Sequence, residues 1–181
     1  MFEHRTAALL ASIMLSACSG QVRGPGGKSL PDPIANASLF DTSGTRVGLA
    51  TFSEVEGEGR MGISVSGLSP GQHGIHVHEN GACTAPDFES AGGHFNPASK
   101  KHGLLNPEGP HAGDMPNLIV EADGSADTTL TVSASLVAQG EQSMIGAQKR
   151  ALVIHADPDD QKTDPSGDSG SRVVCGVIER R

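Results

Sequence analysis

From residue 36 onward, apolar and polar positions alternate over short stretches cut by Gly, Pro, Asp and Ser. The run "ASLF" leads through the turn-like "DTSGT" to "VGLATF", and the acidic bend "SEVEGEG" separates that run from "MGISVSGL". Beyond the turn "SPGQ" come "HGIHVH", "NLIVEA", "ADTTLTVSA" (reached through "DGS"), "ALVIHA" and "RVVCGVIER". A two-residue period suits an antiparallel strand with one buried face, because successive side chains point to opposite sides. Long apolar stretches at helical spacing are hard to find after residue 20. These eight runs predict an all-β fold, an eight-stranded antiparallel Greek-key barrel or sandwich. Two stretches, 79–116 and 156–171, break the spacing with long polar sequence rich in Gly, Pro, Asp and Asn. Loops of that length in a compact domain are usually functional or disordered. The first contains three histidines and both carry carboxylates, which favours function.

The first twenty residues follow a different pattern. Arg5 and the amino terminus precede an apolar run from Thr6 to Ala17, too short to cross a bilayer as a mature helix. Residues 1–18 read as a signal peptide ending in "LSAC", which resembles the bacterial lipoprotein signal in which the Cys is lipid-modified. An ordinary export signal that happens to contain Cys18 is the alternative. Residues 19–35, rich in Gly and Pro with no apolar period, read as a tether, and residues 36–181 as the domain. The expected location is the bacterial cell envelope, periplasm or cell surface, with membrane contact only through a lipid on Cys18.

Composition narrows the partners. The chain has 181 residues, enough for one domain with a real core. It carries 13 basic and 21 acidic residues, a net charge of −8 with His neutral. Nucleic acid is excluded as a partner, since its phosphates call for a basic face. With Cys18 assigned to the signal, Cys83 and Cys175 remain as a pair. In an oxidising compartment such a pair is most simply a disulfide. The chain-entropy model gives about 4–5 kcal/mol for a loop that long, as a ceiling.

Candidate chemistry lies in the histidines. His76 and His78, two residues apart in a predicted strand, project side by side. Such a pair alone serves equally as a polar face or as metal ligands. His94, His102, His111 and Asp114 then fall within 21 residues of one loop. Three imidazoles and a carboxylate fill a tetrahedral zinc site with no open position, the mark of a structural ion.

The blocks "HGIHVHENGAC", "AGGHFNP", "KHG", "PHAGDMPN", "VIHADPDD" and "GSRVVCGVI" resemble the ordered signature of the copper,zinc superoxide dismutases, from about residue 36 to the carboxyl terminus. The resemblance implies one copper and one zinc ion per subunit. Copper would be held by His76, His78, His94 and His155, and zinc by His94, His102, His111 and Asp114. His94 would bridge the two through both ring nitrogens. Asp159 would accept hydrogen bonds from His76 and His102, and His73 would be a packed, hydrogen-bonded residue outside the ligand sets. Arg172 would hold the substrate beside copper, aligned by the Cys83–Cys175 link. The implied reaction converts superoxide to oxygen and hydrogen peroxide by alternating Cu(II) and Cu(I), with His94 also carrying a proton. The resemblance leaves the choice between homodimer and monomer open.

One departure stands out. The loop at 157–170 holds five Asp and one Lys, where relatives contribute guiding lysines. Only Lys162 is available there, with Lys100, Lys101, Lys149 and Arg150 as candidate substitutes from elsewhere. An envelope copper or zinc carrier on the same fold, without dismutase activity, is the rival reading. A bridging histidine and a channel arginine argue against it.

Overall fold

The computed structural model describes residues 32–138 and 143–181. The expected signal peptide, Cys18 and the tether up to residue 31 lie outside the described residues. Among the described residues nine strands follow in order: β1 (Ala35–Asp41), β2 (Arg46–Val55), β3 (Glu58–Val65), β4 (Gly71–His73), β5 (Ile75–His78), β6 (Leu118–Val120), β7 (Ala126–Val132), β8 (Arg150–His155) and β9 (Arg172–Arg180). Seven form one antiparallel half-barrel sheet in the order β5-β8-β9-β1-β2-β3-β7, while β4 and β6 pair separately. Among the described residues no helix is long and apolar enough to cross a membrane.

Every predicted run contains strand, and the count rises to nine because "HGIHVH" divides at Gly74. His73 pairs with Leu118 in the small ladder, whereas Ile75 pairs with Ile154 in the main sheet. Between them the Gly74 N–H donates to Asp157 O and its carbonyl accepts from His155 N–H, both at 2.8 Å. A Cβ there would lie 2.8 Å from Cβ of Ser169, closer than a side chain tolerates. The run predicted to stay extended through Ala134 leaves the sheet after Val132. A single helical turn, α1 (Ala134–Val137), buries Leu136 and Val137 instead.

The core lies on the inner face, where Leu39, Phe52, Met61, Ile75, Val77, Leu152 and Ile154 are fully buried. The outer face is also covered at one end. Ala151, Val153 and Cys175 pack there against Phe88 and Ala91 from the long loop after β5. Hence all six residues of β8 are buried, and its sequence reads as a continuous apolar run rather than an alternation. Antiparallel register sets His76 opposite Val153 and His78 opposite Ala151. Both histidines therefore face outward, away from the core, onto the face that the loops enclose.

Candidate metal centre

β5 is the last strand of the main sheet, and its free edge is taken by the loop that follows it. Val77 N–H donates to Gly113 O at 2.9 Å, and Val77 O accepts from Phe95 N–H at 2.8 Å. Glu79 N–H donates to Gly93 O at 2.9 Å. Pairing of this kind satisfies edge groups that would otherwise stay open. It also sets His94 across from His78 and Asp114 across from His76. Gly113 makes the approach possible, since a Cβ there would overlap Val77 O. His155 arrives from the end of β8, where the ladder with β9 shifts register between Ile154 and His155.

Two ligand sets result. His76, His78, His94 and His155 offer ring nitrogens that all lie within 4.8 Å of one another, and so do the ligand atoms of His94, His102, His111 and Asp114. His94 belongs to both. Its ring stacks on His76 at 4.0 Å between centroids and lies 5.1 Å from that of His102.

Hydrogen bonds decide which nitrogen each ring turns inward. His76 uses Nε2 to donate to Asp159 Oδ2 at 2.7 Å, and His102 uses Nε2 on Asp159 Oδ1 at 3.0 Å. His78 donates from Nδ1 to Gly92 O at 2.9 Å, and His155 from Nδ1 to Gly170 O at 3.2 Å. An outer acceptor holds the proton on that side and leaves a lone pair on the other. In the first set Nδ1 of His76 and Nε2 of His94 are buried with no hydrogen-bond partner. Nε2 of His78 and Nε2 of His155 face each other at 3.4 Å. In the second set, Nδ1 of His94, His102 and His111 lie 3.0, 3.1 and 3.4 Å from a single oxygen, Asp114 Oδ1. The other oxygen, Oδ2, accepts the N–H groups of Gly103 and His111, which aims Oδ1 inward. Converging lone pairs are what a cation requires. The all-nitrogen set suits copper and the three-imidazole, one-carboxylate set suits zinc.

Burial and charge pull these groups in opposite directions. Burial pushes the first-set rings toward neutrality: His94 to about 4, His155 to about 3, His76 downward and His78 well downward. His102 goes the other way. Burial opposes its charge, but hydrogen bonds to Asp114 and then Asp159 prevail and raise it to about 9. Burial also opposes ionisation of Asp114 and Asp159, and hydrogen bonds from their histidines outweigh it, holding both below the usual carboxylate range.

The remaining candidates surround this centre. Cys83 and Cys175 form a disulfide with Cα atoms 5.7 Å apart, tying the long loop to β9. On that strand Arg172 donates from Nη1 to Phe88 O at 2.6 Å and from Nη2 to Gly92 O at 2.7 Å. Gly92 O thus serves both Arg172 and His78. Arg172, His78, His94 and His155 line an open cleft together with Lys100. The other basic candidates are elsewhere. Lys101 pairs with Asp164, Lys149 with Glu179, and Arg150 lies buried over the Phe95 ring. Lys162 does not line the cleft. His73 stays outside both ligand sets, with Nδ1 on His155 O and Nε2 near Ser69 O. The Gly92 and Gly170 carbonyls escape a reading of the sequence, because a backbone acceptor carries no residue signature.

Comparison with known proteins agrees with this arrangement. Residues 46–178 match the family model for copper/zinc superoxide dismutase. A Cu-Zn superoxide dismutase of Aquifex aeolicus is 44% identical over 149 residues, 81% of this chain and 87% of that protein. The superoxide dismutase-like protein YojM of Bacillus subtilis is 40% identical over 188 residues, covering 94% of this chain and 95% of that protein. Among solved structures, a SOD-like protein from Bacillus subtilis superposes with a TM-score of 0.75 at 40% identity, covering 78% of this chain and 96% of that one. The Cu/Zn superoxide dismutase from Brucella abortus superposes with a TM-score of 0.66 at 31% identity, over 79% and 98% of the respective chains. With the family model matched from β2 into β9 and through both loops, and relatives alike over most of their length, this chain belongs to the copper/zinc superoxide dismutase family.

Proposed function

We propose that the chain is a superoxide dismutase whose copper ion is held by His76, His78, His94 and His155 and whose zinc ion is held by His94, His102, His111 and Asp114. The observation that carries this reading is His94. Its Nδ1 lies 3.0 Å from Asp114 Oδ1, while its Nε2 is buried without a partner on the side of the first set. No other ring among the six offers both nitrogens inward, and a carrier of single ions has no use for such a ring. Copper in an all-nitrogen set supplies one-electron exchange between Cu(II) and Cu(I), which suits oxidation of one superoxide to oxygen and reduction of a second, with two protons, to hydrogen peroxide.

The protein's own groups do the rest. The substrate is an anion and the chain is acidic, so local positive charge must prevail at the cleft. Arg172 supplies it. Its two bonds to carbonyl oxygens fix the guanidinium and leave other N–H donors for the substrate. Nε2 of His94 would hold copper in one half of the cycle and, when free of it, take up one of the two protons and pass it on in the other half. Asp159 orients one ring of each set, and the second set closes a loop that has few apolar side chains of its own.

Metal analysis of the purified protein, paired with a superoxide assay, tests the assignment. Full activity after copper is stripped would overturn it. For Arg172→Ala, kcat/KM for superoxide is expected to fall about tenfold to a hundredfold, the equivalent of a charge-assisted hydrogen bond. Salt dependence should weaken with copper content unchanged, and unaltered kinetics would remove Arg172 from the substrate path.

Export and anchoring through Cys18 belong to the same proposal. The sequence pattern at 1–18 and the Cys83–Cys175 disulfide support it, since structural disulfides persist in oxidising compartments. Cys18→Ser should move the protein from the membrane fraction to the soluble one. Continued membrane retention would refute the anchor.

A further inference from the structure

We propose that Asp164 is a positioning residue for the zinc set, acting through His102 and His111 without touching the ion. The inference rests on the zinc assignment above and is independent of dismutase activity. Asp164 sits in the loop between β8 and β9, yet it reaches the other loop at two of its ligands. Its Oδ1 accepts the backbone N–H of His102 at 2.8 Å. The same oxygen faces Nε2 of His111 at 3.9 Å.

The second contact matters because of what His111 lacks. His76 and His102 give their outer nitrogens to Asp159, His78 to Gly92 O and His155 to Gly170 O. His94 has no outer nitrogen, since both face ligand sets. His111 alone of the six has an outer nitrogen with no acceptor at hydrogen-bond distance among the described residues. A separation of 3.9 Å is too long for a hydrogen bond. The carboxylate charge nevertheless favours the tautomer with the proton on Nε2. That tautomer leaves the Nδ1 lone pair turned toward Asp114 Oδ1, where a cation would sit.

Asp164 also pairs with Lys101, whose Nζ lies 3.2 Å from Oδ2. The side chains of that ion pair are 54% and 38% exposed, and pairs so exposed contribute little. The positioning effect thus belongs to the carboxylate and not to the ion pair.

The experiment uses the full chain loaded with zinc and follows zinc release to a colorimetric chelator. Partners of metal-bound histidines are worth about 10- to 100-fold in metal affinity, so Asp164→Ala should release zinc faster by about that factor. Asp164→Asn keeps an oxygen for the His102 N–H and loses the charge, and its rate should fall between the two. Lys101→Ala should release zinc at close to the wild-type rate. Copper affinity, read by absorbance titration, should be unchanged in all three variants. A wild-type release rate in both Asp164 variants would overturn the proposal. Equal losses of copper and zinc would also overturn it, by making Asp164 a general support of the loops. A wild-type chain that takes up no zinc would bring down the site assignment itself and this inference with it.

Discussion

His155→Ala is expected to abolish superoxide removal while zinc remains bound. His155 presents Nε2 to the first ligand set only, 3.4 Å from Nε2 of His78, and makes no contact with Asp114. Its loss leaves three of the four nitrogens and opens one side of the centre. Removing a partner one bond further out already costs about 10- to 100-fold in metal affinity, and removing a direct ligand costs more. Copper content should collapse and activity with it, by well over about a hundredfold on the same scale. Zinc per chain should stay at its wild-type value, because none of the four second-set atoms is altered. Elemental analysis and a superoxide assay on the same preparation check both halves. Wild-type activity in this variant would remove His155 from the centre. The fold should survive, since the side chain lies on the outer face of β8 and the core-facing neighbours Leu152 and Ile154 are untouched.

Asp159→Ala should weaken both metals at once, a result that among the ligands only substitution of the shared His94 would also produce. One carboxylate serves two rings: Oδ2 accepts from His76 at 2.7 Å and Oδ1 from His102 at 3.0 Å. Both side chains of each pair are fully buried, so water cannot substitute for the lost acceptor. Each ring would be free to turn and to carry its proton on the inner nitrogen. Copper and zinc affinities should each fall about 10- to 100-fold. Asp159→Asn sharpens the test. An amide has one oxygen and one NH2, so it can accept from one ring only and must present a donor to the other. One metal should then be retained better than its neighbour. Competition titrations with chelators of known affinity would measure both ions. Equal, wild-type affinities in Asp159→Ala would show that the rings are oriented by packing alone. Crowding at this carboxylate is severe: Gly167 approaches it so closely, at φ +67°, that an added Cβ would overlap Oδ1 of Asp159.

The strands were legible because antiparallel pairing with one buried face leaves a two-residue period. "RVVCGVIER" reads directly as β9. The alternation is lost where a second surface intervenes, although "ALVIHA" still reads as a strand. β8 has no alternation because the disulfide-tethered loop covers its outer face, and "HGIHVH" reads as one strand because Gly74 gives no hint that it joins two sheets. The helical turn after β7 lies beyond a period-two reading for a related reason. Leu136 and Val137 are buried by leaving the sheet, and their spacing says nothing of that.

The steering lysines illustrate the same limit from the side of charge. Lys100 and Lys101 are adjacent and chemically identical, yet one lines the cleft and the other pairs with Asp164. Likewise the loop at 157–170 contains five Asp residues. Asp159 is buried between two rings and Asp164 is exposed beside the His102 backbone; the resemblance of "VIHADPDD" singles out the first, and no sequence signal marks the second.

By itself the amino-acid order determined the residue inventory: which runs contain strand, that six imidazoles and a carboxylate recur in blocks matching one family, and that two cysteines are left to pair. Tertiary structure alone decided the direction in which each ring faces. That direction follows from outer acceptors supplied by distant parts of the chain, namely Asp159, Gly92 O and Gly170 O, and from the loop that closes on the free edge of β5. Imidazole has two chemically similar nitrogens, so its identity fixes a ligand type and leaves open which nitrogen carries the lone pair. Only a folded chain, with both the acceptors and the edge strand in place, removes that freedom.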